Sequence, residues 1–401
     1  MERAASKRSH APSFWLLAVM LASFLFAASA PSPLYATYEA TWHFSSITLT
    51  EIYAVYALGA LAALLVTGRL SDHVGRRNVV LLALMFEIAG MIAFVAADGV
   101  GMLYLGRVLQ GVGTGIATGA ISAWLLDLRP PANPGLGSLV GGVAPLAGLA
   151  AGALGSGLLV QYGPDPLRLV FALLAIVFAL ALALVPVIPD VVERTPGWRR
   201  SLRPQIGVPP AARPLFIALA PSLIAVWALG GLYLSLGPSL ATSLVQTDSR
   251  ILGALVIVAL MGAGAVSAAV VRAADPRAIV IGGSLVLLVG VGLTLMAVAL
   301  GSIVGLYAGS VIAGLGFGPA FSGIVRSLAP LAPPDMRAAL FAAIYALLYL
   351  SFSVPAILAG VAVTSYGLRD TSYAYGVLVM ALAALTTVAV SRERAATEAG
   401  S

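Results

Sequence analysis

Cysteine is absent from the 401-residue sequence, and charged residues make up only 9% of it. The absence of cysteine excludes disulfide bonds and thiolate metal sites. A soluble domain carries about 25% charged residues, so this chain has too little polar surface to cover itself in water. It is instead 60% hydrophobic, with a mean hydropathy of +1.01. We therefore expect the solvent around most of the chain to be lipid.

Histidine is also scarce, and the three copies (His10, His43 and His73) fall in a tail and two loops. This spacing predicts no metal site, and no sequence pattern indicates another cofactor. The net charge of +6 is spread over short loops rather than gathered in one patch. We therefore expect lipid, and not nucleic acid, to be the partner of the basic residues.

Long apolar stretches dominate the chain, and a membrane-spanning helix needs about 20 such residues. Twelve stretches qualify: 14–36, 48–68, 78–97, 102–126, 136–160, 168–188, 214–235, 252–271, 278–299, 303–326, 338–363 and 372–391. The first is too long for a signal peptide and has no clean cleavage site, so we interpret it as an uncleaved helix. The pattern predicts an all-α polytopic membrane protein with twelve transmembrane helices.

The positive charges alternate between the two sides of these predicted helices. With the N-terminus in the cytoplasm, 18 of the 22 Lys and Arg residues lie inside, three lie outside, and Arg107 lies within a helix. Positive charge in short loops stays on the cytoplasmic side. This predicts a multi-pass protein of a bacterial inner membrane with both termini cytoplasmic.

The two halves of the sequence repeat each other. When the chain is shifted by 203 residues, segment 103–130 matches segment 306–333 at 12 of 28 positions, and many of the matches are glycines. The shift spans six helices, so the repeat is parallel. We predict two pseudo-symmetric six-helix bundles, 1–188 and 214–401, joined by a basic cytoplasmic linker, 189–213, in a monomer.

The loop after the second predicted helix reads GRLSDHVGRR, from Gly68 to Arg77. It resembles the signature loop of the major facilitator superfamily, G-x-L-x-D-x-x-G-R-[KR]. The resemblance implies a transporter fold in which this loop latches the inner side shut. The alternative interpretation is simple anchoring of the loop by positive charge.

Each residue of this loop has an expected role. Gly68 would let the second helix approach a neighbour, Gly75 would permit a turn, and Asp72 would accept hydrogen bonds from backbone amides or arginines. Arg76 and Arg77 would hold the cytoplasmic face. Asp127 and Arg129, at the end of the fourth helix, are candidate latch partners for the two arginines. The second half keeps only Arg272, Asp275 and Arg277, so we expect a weaker latch there.

The fourth predicted helix carries a second family-like pattern, l-x-x-x-R-x-x-q-G-x-g, at 103–113. Its helical spacing separates a glycine stripe for close packing, Gly111, Gly115 and Gly119, from a polar stripe. The polar stripe consists of Arg107, Gln110, Thr114, Thr118 and Ser122. In drug–proton antiporters of the family the matching arginine is tied to proton coupling. Arg107 would therefore line a cavity, or else extend to the outer interface.

The fifth helix resembles the antiporter signature G-x-x-x-G-P-x-x-G-G only in part. Pro145 and Gly148 are present, but two glycines of the signature are missing. The drug–proton antiporter type is therefore the nearest resemblance, on an incomplete motif.

Few carboxylates are available to carry a proton. Glu87 is the only acid that we predict deep in a helix, with Glu39 and Glu51 at the outer mouth. Glu87 has a structural alternative as the partner of a neighbouring helix.

Aromatic residues are concentrated on helices that line the cavity in the resembled family. The candidates are Tyr35, Tyr38, Tyr53, Tyr56, Trp227, Tyr233, Tyr345, Tyr349 and Phe352. Packing and interfacial positions are the alternative for many of them. An aromatic cavity with few charges favours amphipathic, drug-like solutes over sugar phosphates, which need several arginines.

These features predict a secondary transporter that exports small organic molecules against proton entry. Proton-coupled uptake of a metabolite is the alternative, because these residues do not indicate the direction of transport. An enzyme is disfavoured, since no catalytic triad or metal set converges and the loops are short. No G-x-x-x-x-G-K-[ST] sequence is present, so ATP is not the predicted energy source.

Overall fold

The structure is a computed structural model that describes residues 11–247, 249–333 and 336–399, with side chains described up to residue 391. The basic residues of the N-terminal tail and of the C-terminal tail lie outside the described side chains. Within the described part the secondary structure is helical throughout, without strands.

Ten of the spanning helices are separate. They are α1 Ala11–Trp42, α2 Ser46–Thr67, α3 Arg76–Val95, α4 Val100–Asp127, α5 Leu136–Tyr162, α6 Leu169–Val187, α7 Pro210–Ser235, α8 Arg250–Ala273, α9 Pro276–Leu300 and α10 Ile303–Leu331. Short helices at Leu70–Val74, Trp198–Ser201 and Gly237–Val245 lie between them. In α1 the prolines at 31 and 33 produce a 3-10 turn, Ser32–Leu34, because proline removes a backbone donor.

The remaining span, Arg337–Ser391, is one run of 55 residues. A straight helix of that length would be about 80 Å long, far more than the roughly 30 Å of a bilayer core. Gly367 divides it, with φ 80° and ψ 165°, a conformation that glycine adopts without the steric cost of a Cβ atom. We name its two parts α11 (337–366) and α12 (368–391). The eleven apolar helical runs therefore make twelve crossings, as predicted, although the last two are not separated by a loop.

The outer surface of the bundle is apolar. Ile217, Val270, Val304 and Leu358 are each more than 60% exposed. Soluble proteins rarely leave so many large apolar side chains in water. These side chains are placed to face lipid acyl chains, and the buried core lies at the contacts between helices.

Glycine contacts show the repeat in three dimensions. A Cβ atom at Gly111 of α4 would overlap the carbonyl oxygen of Tyr56 in α2, and one at Gly314 of α10 would overlap that of Leu260 in α8. The same contact recurs one turn further along, at Gly115 with Ala60 and at Gly318 with Gly264. The predicted packing stripe is therefore present in both halves. Gly119 was predicted to continue this stripe but does not, because its Cβ position faces open space.

The arginine-rich loops lie together at one end of the bundle, which we call the basic face. Hydrogen bonds join them there, from Thr195 N to Asp72 O (3.3 Å) and from Gly207 N to Ala339 O (3.2 Å). We call the other end the opposite face.

The two halves, α1–α6 and α7–α12, meet along α2 with α11 and along α5 with α8. At the opposite face the contacts are close. A Cβ atom at Gly157 would lie 2.9 Å from Ala254 Cβ, and one at Gly360 would lie 2.9 Å from the carbonyl oxygen of Ser46. The halves are therefore sealed together at the opposite face, and the space between them lies towards the basic face.

Candidate functional site

A cavity of about 80 Å³ lies between the two halves, which is room for several water molecules. It is lined by Leu25, Ala28, Tyr53, Tyr56, Thr118, Gly141, Gly142, Pro145, Leu146, Leu149, Trp227, Leu234, Phe321, Tyr345, Leu348, Tyr349 and Phe352. None of these lining residues is charged. Near the basic face the Cβ positions of Gly141 and Gly142 meet open space, so the cavity widens in that direction.

Four of the seven predicted cavity tyrosines line this cavity, namely Tyr53, Tyr56, Tyr345 and Tyr349. Tyr35, Tyr38 and Tyr233 do not, although other residues of their helices α1 and α7 do line it. Tyr233 is buried inside the C-terminal half, where its hydroxyl contacts Ser310 Oγ at 2.9 Å. Whether each tyrosine lines the cavity depends on the side of its helix on which it lies.

Tyr35 and Tyr38 lie behind the cavity. The Tyr38 hydroxyl donates to the carbonyl of Leu167 at 3.1 Å, and its ring stacks on Trp42 with centroids 4.8 Å apart. The ring of Tyr35 meets that of Tyr53 edge-on at 6.2 Å. These contacts make both residues part of the N-terminal core.

Phe321 is a lining residue that the sequence analysis did not assign to the cavity. It occupies the position in α10 that Thr118 occupies in α4, 203 residues earlier, and both line the cavity. The repeat therefore contained the signal that would have identified Phe321. Its ring lies 5.2 Å from that of Trp227 in an edge-to-face arrangement, which extends the aromatic wall into the C-terminal half.

Arg107 is fully buried in the N-terminal half. Its guanidinium lies between two rings, with Cζ 4.8 Å from the centroid of Tyr53 and 4.7 Å from that of Tyr56. Nη1 donates to Ala28 O at 2.9 Å and to Gln110 Oε1 at 2.6 Å. Nε and Nη2 have no hydrogen-bond partner among the described residues. In this structure Arg107 neither lines the cavity nor extends to the interface, because the two tyrosines separate it from the cavity. Its predicted role in coupling stays a prediction.

Gln110 and Thr114 continue the polar stripe of α4 into the bundle. Gln110 Nε2 donates to Ala27 O at 2.8 Å, which fastens α4 to α1. Thr114 Oγ1 donates to Glu87 Oε1 at 2.8 Å, which fastens α4 to α3. The stripe therefore faces protein, as buried polar groups in a membrane must.

Glu87 is fully buried, and its Oε2 atom has no hydrogen-bond partner among the described residues. Gly113 makes room for it, because a Cβ atom there would lie 3.0 Å from Glu87 Cγ. Burying an ionised carboxylate without a cation is costly. Glu87 is therefore a polar group whose proton content matters to the packing of α3 on α4.

Glu51 and Glu39 have a different environment. Glu51 is exposed and Glu39 is half-exposed, and both lie towards the opposite face, as expected. Glu51 Oε2 accepts a hydrogen bond from the Tyr104 hydroxyl at 2.7 Å. Of the three predicted proton carriers, only Glu87 lies inside the bundle.

At the basic face, Arg76 is the centre of the signature loop. Its side chain is only 10% exposed, and Nε lies 3.1 Å from Asp127 Oδ2. Nη1 donates to Ser71 Oγ at 2.6 Å and pairs with Asp72. The structure thus brings together Arg76, Asp72 and Asp127. Arg129, expected as a latch partner, instead donates to Leu126 O of its own helix.

Asp190 is a member of this loop network that the sequence analysis missed. Its carboxylate accepts from the backbone N–H groups of Arg76 and Arg77, each at 3.3 Å. Gly75 has φ 94°, and a Cβ atom there would lie 2.6 Å from Asp190 Oδ2. Asp190 lies more than 110 residues away in sequence and outside the motif, so no local pattern indicated it.

The remaining loop residues also act within the N-terminal half. Arg77 Nη2 donates to Ile188 O at 2.8 Å. Gly68 was expected to let its helix approach a neighbour, but the nearest atom to its Cβ position is Leu64 O of its own helix. In the second half Asp275 caps α9, accepting from Ala278 N at 2.8 Å. The signature loop therefore ties α3, α4 and the end of α6 together.

Comparisons with known proteins place this architecture. Residues 15–354 match the Major Facilitator Superfamily. The chain is 29% identical over 177 residues to the uridine/deoxyuridine transporter of Lactococcus lactis subsp. cremoris, covering 42% of this chain and 35% of that protein. It is 30% identical over 156 residues to the facilitated glucose transporter member 3 of Ovis aries, covering 36% and 31%.

A third relative is the triacylglyceride transporter of Mycobacteroides abscessus, 37% identical over 116 residues, covering 29% of this chain and 21% of that protein. The chain thus spans between 21% and 35% of the lengths of these three relatives.

Solved structures share the whole fold. A bacterial homologue of the human lysosomal transporter Spinster, inward-facing and unoccupied, aligns with a TM-score of 0.76 at 14% identity, over 96% of this chain and 98% of that one. A POT family transporter in complex with 5-aminolevulinic acid aligns with a TM-score of 0.74 at 14% identity, over 94% and 96%. At such identities the likeness shows the fold alone.

Proposed function

Because the chain belongs to the Major Facilitator Superfamily, as a membrane transporter rather than an enzyme, we propose that it exports small amphipathic organic molecules by alternating access, driven by proton entry. In this proposal it is a monomer of the drug–proton antiporter type, with the basic face in the cytoplasm of a bacterium. Segments 1–188 and 214–401 are the moving halves, and 189–213 is their linker.

The chemistry of the cavity is the observation that carries the proposal. Its wall combines aromatic rings from both halves, among them Tyr53, Tyr349, Trp227 and Phe352, with aliphatic side chains and no charge. Such a wall favours flat, largely apolar solutes with few hydrogen-bonding groups. A phosphorylated or dicarboxylate solute would instead need arginine forks, and the one buried arginine of this region is screened by tyrosines.

The packing of the halves supports alternating access. They are sealed at the opposite face and separated towards the basic face, where Gly141 and Gly142 meet open space. With the basic face in the cytoplasm, this is a state ready to receive a solute from inside the cell. Rocking of the halves around the cavity would expose it to the other side.

Glu87 is the proposed proton carrier, since it is the buried carboxyl group of the three candidates. One of its oxygens is held by Thr114 and the other has no partner among the described residues. A buried carboxyl in a bundle that also holds a guanidinium with two nitrogens lacking partners among the described residues is suited to exchange a proton when the packing changes.

The test is efflux of a lipophilic fluorescent cation from proteoliposomes under an imposed pH gradient. We expect efflux that follows the gradient, that a protonophore abolishes and that sodium removal leaves intact. Glu87→Gln should abolish coupling, whereas the matched control Glu51→Gln should couple like the wild type. Coupling that survives in Glu87→Gln would exclude this carrier, and accumulation in place of efflux would favour the uptake alternative.

A further inference from the structure

We propose that Tyr53 is the positioning residue through which the C-terminal half acts on the buried polar network, which we define as Arg107, Gln110 and Thr114 of α4 together with the Glu87 carboxyl that Thr114 holds. The ring of Tyr53 lies between that network and α11, so the position of α11 sets the environment of the buried arginine. The inference rests on the proposed function, because it assigns the coupling of that function to one side chain.

On one side, the ring of Tyr53 contacts Arg107 inside the N-terminal half. The centroid of the Tyr53 ring lies 4.8 Å from Arg107 Cζ, and both side chains are almost completely buried. A guanidinium over an aromatic face in a desolvated site is held more strongly than one at a surface. Tyr53 therefore provides part of the environment that stabilises the buried charge of Arg107, which has no carboxylate within ion-pair distance among the described residues.

On its other side, the ring of Tyr53 contacts the C-terminal half. The centroid of the Phe352 ring in α11 lies 5.1 Å from that of Tyr53, at an interplanar angle of 31°. Phe352 is itself 5% exposed and also contacts Trp227 of α7 at 6.3 Å. Tyr53 is thus held between a buried charge of one half and an aromatic cluster of the other.

Movement of the halves must change this arrangement. The contact lies on the α2–α11 interface, on the same pair of helices that is sealed at Gly360 and Ser46. When the opposite face opens, α11 separates from α2 and Phe352 is withdrawn from Tyr53. The Tyr53 ring is then free to leave Arg107, and the two unpaired guanidinium nitrogens become available to water or to Glu87.

Glu87 is the carboxyl group of the network, and its Oε2 atom has no hydrogen-bond partner among the described residues. Arg107 lies two turns before Thr114 on the same face of α4, and Thr114 holds the other oxygen of Glu87. The part of α6 that packs on α3, Leu169–Leu184, contains no ionisable residue. The short helix Leu70–Val74 carries Asp72 and His73 at the distant, basic end of α3. By linkage, a proton on Glu87 and the position of α11 must then bias each other equally.

The absence of cysteine from the chain provides a clean reporter of this linkage. Gly142→Cys places a single thiol in the cavity wall towards the basic face, where its Cβ position meets open space. The rate of its reaction with a polar maleimide, in protein reconstituted into nanodiscs, reports how often the cavity is open at that face. The rate is compared at mildly acidic and mildly alkaline pH, without any solute.

We expect the rate to differ by about fivefold or more between the two pH values, the lower end of typical coupling between two sites. Tyr53→Leu and Phe352→Leu should each abolish the difference, because each breaks the link on one side. Tyr53→Phe keeps the ring and should preserve the difference. Phe178→Leu is the matched control, since it removes a buried aromatic pair inside the N-terminal half, Phe24–Phe178 with centroids 5.3 Å apart, and leaves the Tyr53–Phe352 pair in place, so it should preserve the difference.

The inference is overturned if Tyr53→Leu and Phe352→Leu keep the same pH response as Phe178→Leu, or if the reporter has no pH response at all. Thermal unfolding of each variant shows that it is folded, and the Phe and Leu variants at position 53 separate ring loss from general damage. Proton-coupled efflux is measured separately. If the protein shows proton-coupled efflux but Tyr53→Leu keeps the pH response of the labelling rate, only the role of Tyr53 is rejected. If the labelling rates follow the expected pattern but no proton-coupled efflux is seen, only the proposed function is rejected.

Discussion

Arg107 is a buried cation that has no carboxylate within ion-pair distance among the described residues. Its charge is balanced by the carbonyl oxygen of Ala28, the amide oxygen of Gln110 and the faces of two tyrosine rings. These partners suit a planar guanidinium, which stacks and donates at the same time. A compact ammonium group would lose the stacking and the planar fork of donors.

Arg107→Lys should therefore lower transport by about tenfold or more, since one hydrogen bond to a charged group is worth roughly 1.5–3 kcal/mol. The measurement is the initial rate of solute efflux at equal amounts of inserted protein. Arg129→Lys is the control, because Arg129 is exposed and bonds its own helix. A lysine variant at 107 with the wild-type rate would show that charge alone is sufficient at this position.

At the scale of elements, the junction of α5 and α8 closes the opposite face. Gln161 Oε1, at the end of α5, accepts from the backbone N–H groups of Arg250 (3.0 Å) and Ile251 (3.3 Å), at the start of α8. It also accepts from Ser249 Oγ at 3.2 Å. A side chain of one half thus caps a helix of the other half, and this cap is lost whenever the opposite face opens.

Gln161→Ala should shift the conformational equilibrium towards the state that is open at the opposite face. The loss of a helix cap costs roughly 0.5–2 kcal/mol, which sets the expected size of the shift. The Gly142→Cys reporter should then react more slowly. Ser302→Ala is the control, since Ser302 caps α10 at the same face, accepting from Gly305 N at 3.1 Å within one half. An equal effect of both variants would assign the change to helix stability and not to the closure between halves.

At the scale of the whole molecule, the asymmetry of charge sets the orientation in the membrane. The basic face collects the linker and the signature loop, which are joined by hydrogen bonds such as that from Arg69 Nη1 to Gln205 Oε1 (2.6 Å). Arginines in short loops resist translocation. The basic face should therefore remain in the cytoplasm.

A single cysteine in place of Arg200, in the linker, should react with an impermeant thiol reagent only in inside-out vesicles. A cysteine in place of Gly301, at the opposite face, should react only in intact cells. The residue-301 variant serves as the control for vesicle sidedness. Labelling of position 200 from outside the cell would reverse the orientation and, with it, the direction assigned to the open cavity.

The sequence by itself determined the architecture. Helix number and the parallel repeat were contained in the apolar spacing and in the glycine registers, because hydrocarbon solvent forces each apolar stretch to satisfy its backbone bonds as a helix. The family was indicated by the resemblance of the loop from Gly68 to Arg77 to the family's signature loop. The chemical character of the cavity was also foreseen, since Tyr53, Tyr56, Tyr345 and Tyr349 do line it. Local spacing was enough for the helices and the repeat, whereas the cavity residues also needed the resemblance to the family.

Only the tertiary structure decided which side chains meet. The rotation of each helix about its own axis directs Tyr233 into a bundle and places Arg107 behind two tyrosines, and no periodicity within one helix fixes that rotation. Asp190 reaches the signature loop from the end of α6, and Gly367 joins α11 to α12 without a loop. The contact of Tyr53 with Phe352 joins residues about 300 positions apart, so it exists only because the two halves close on each other.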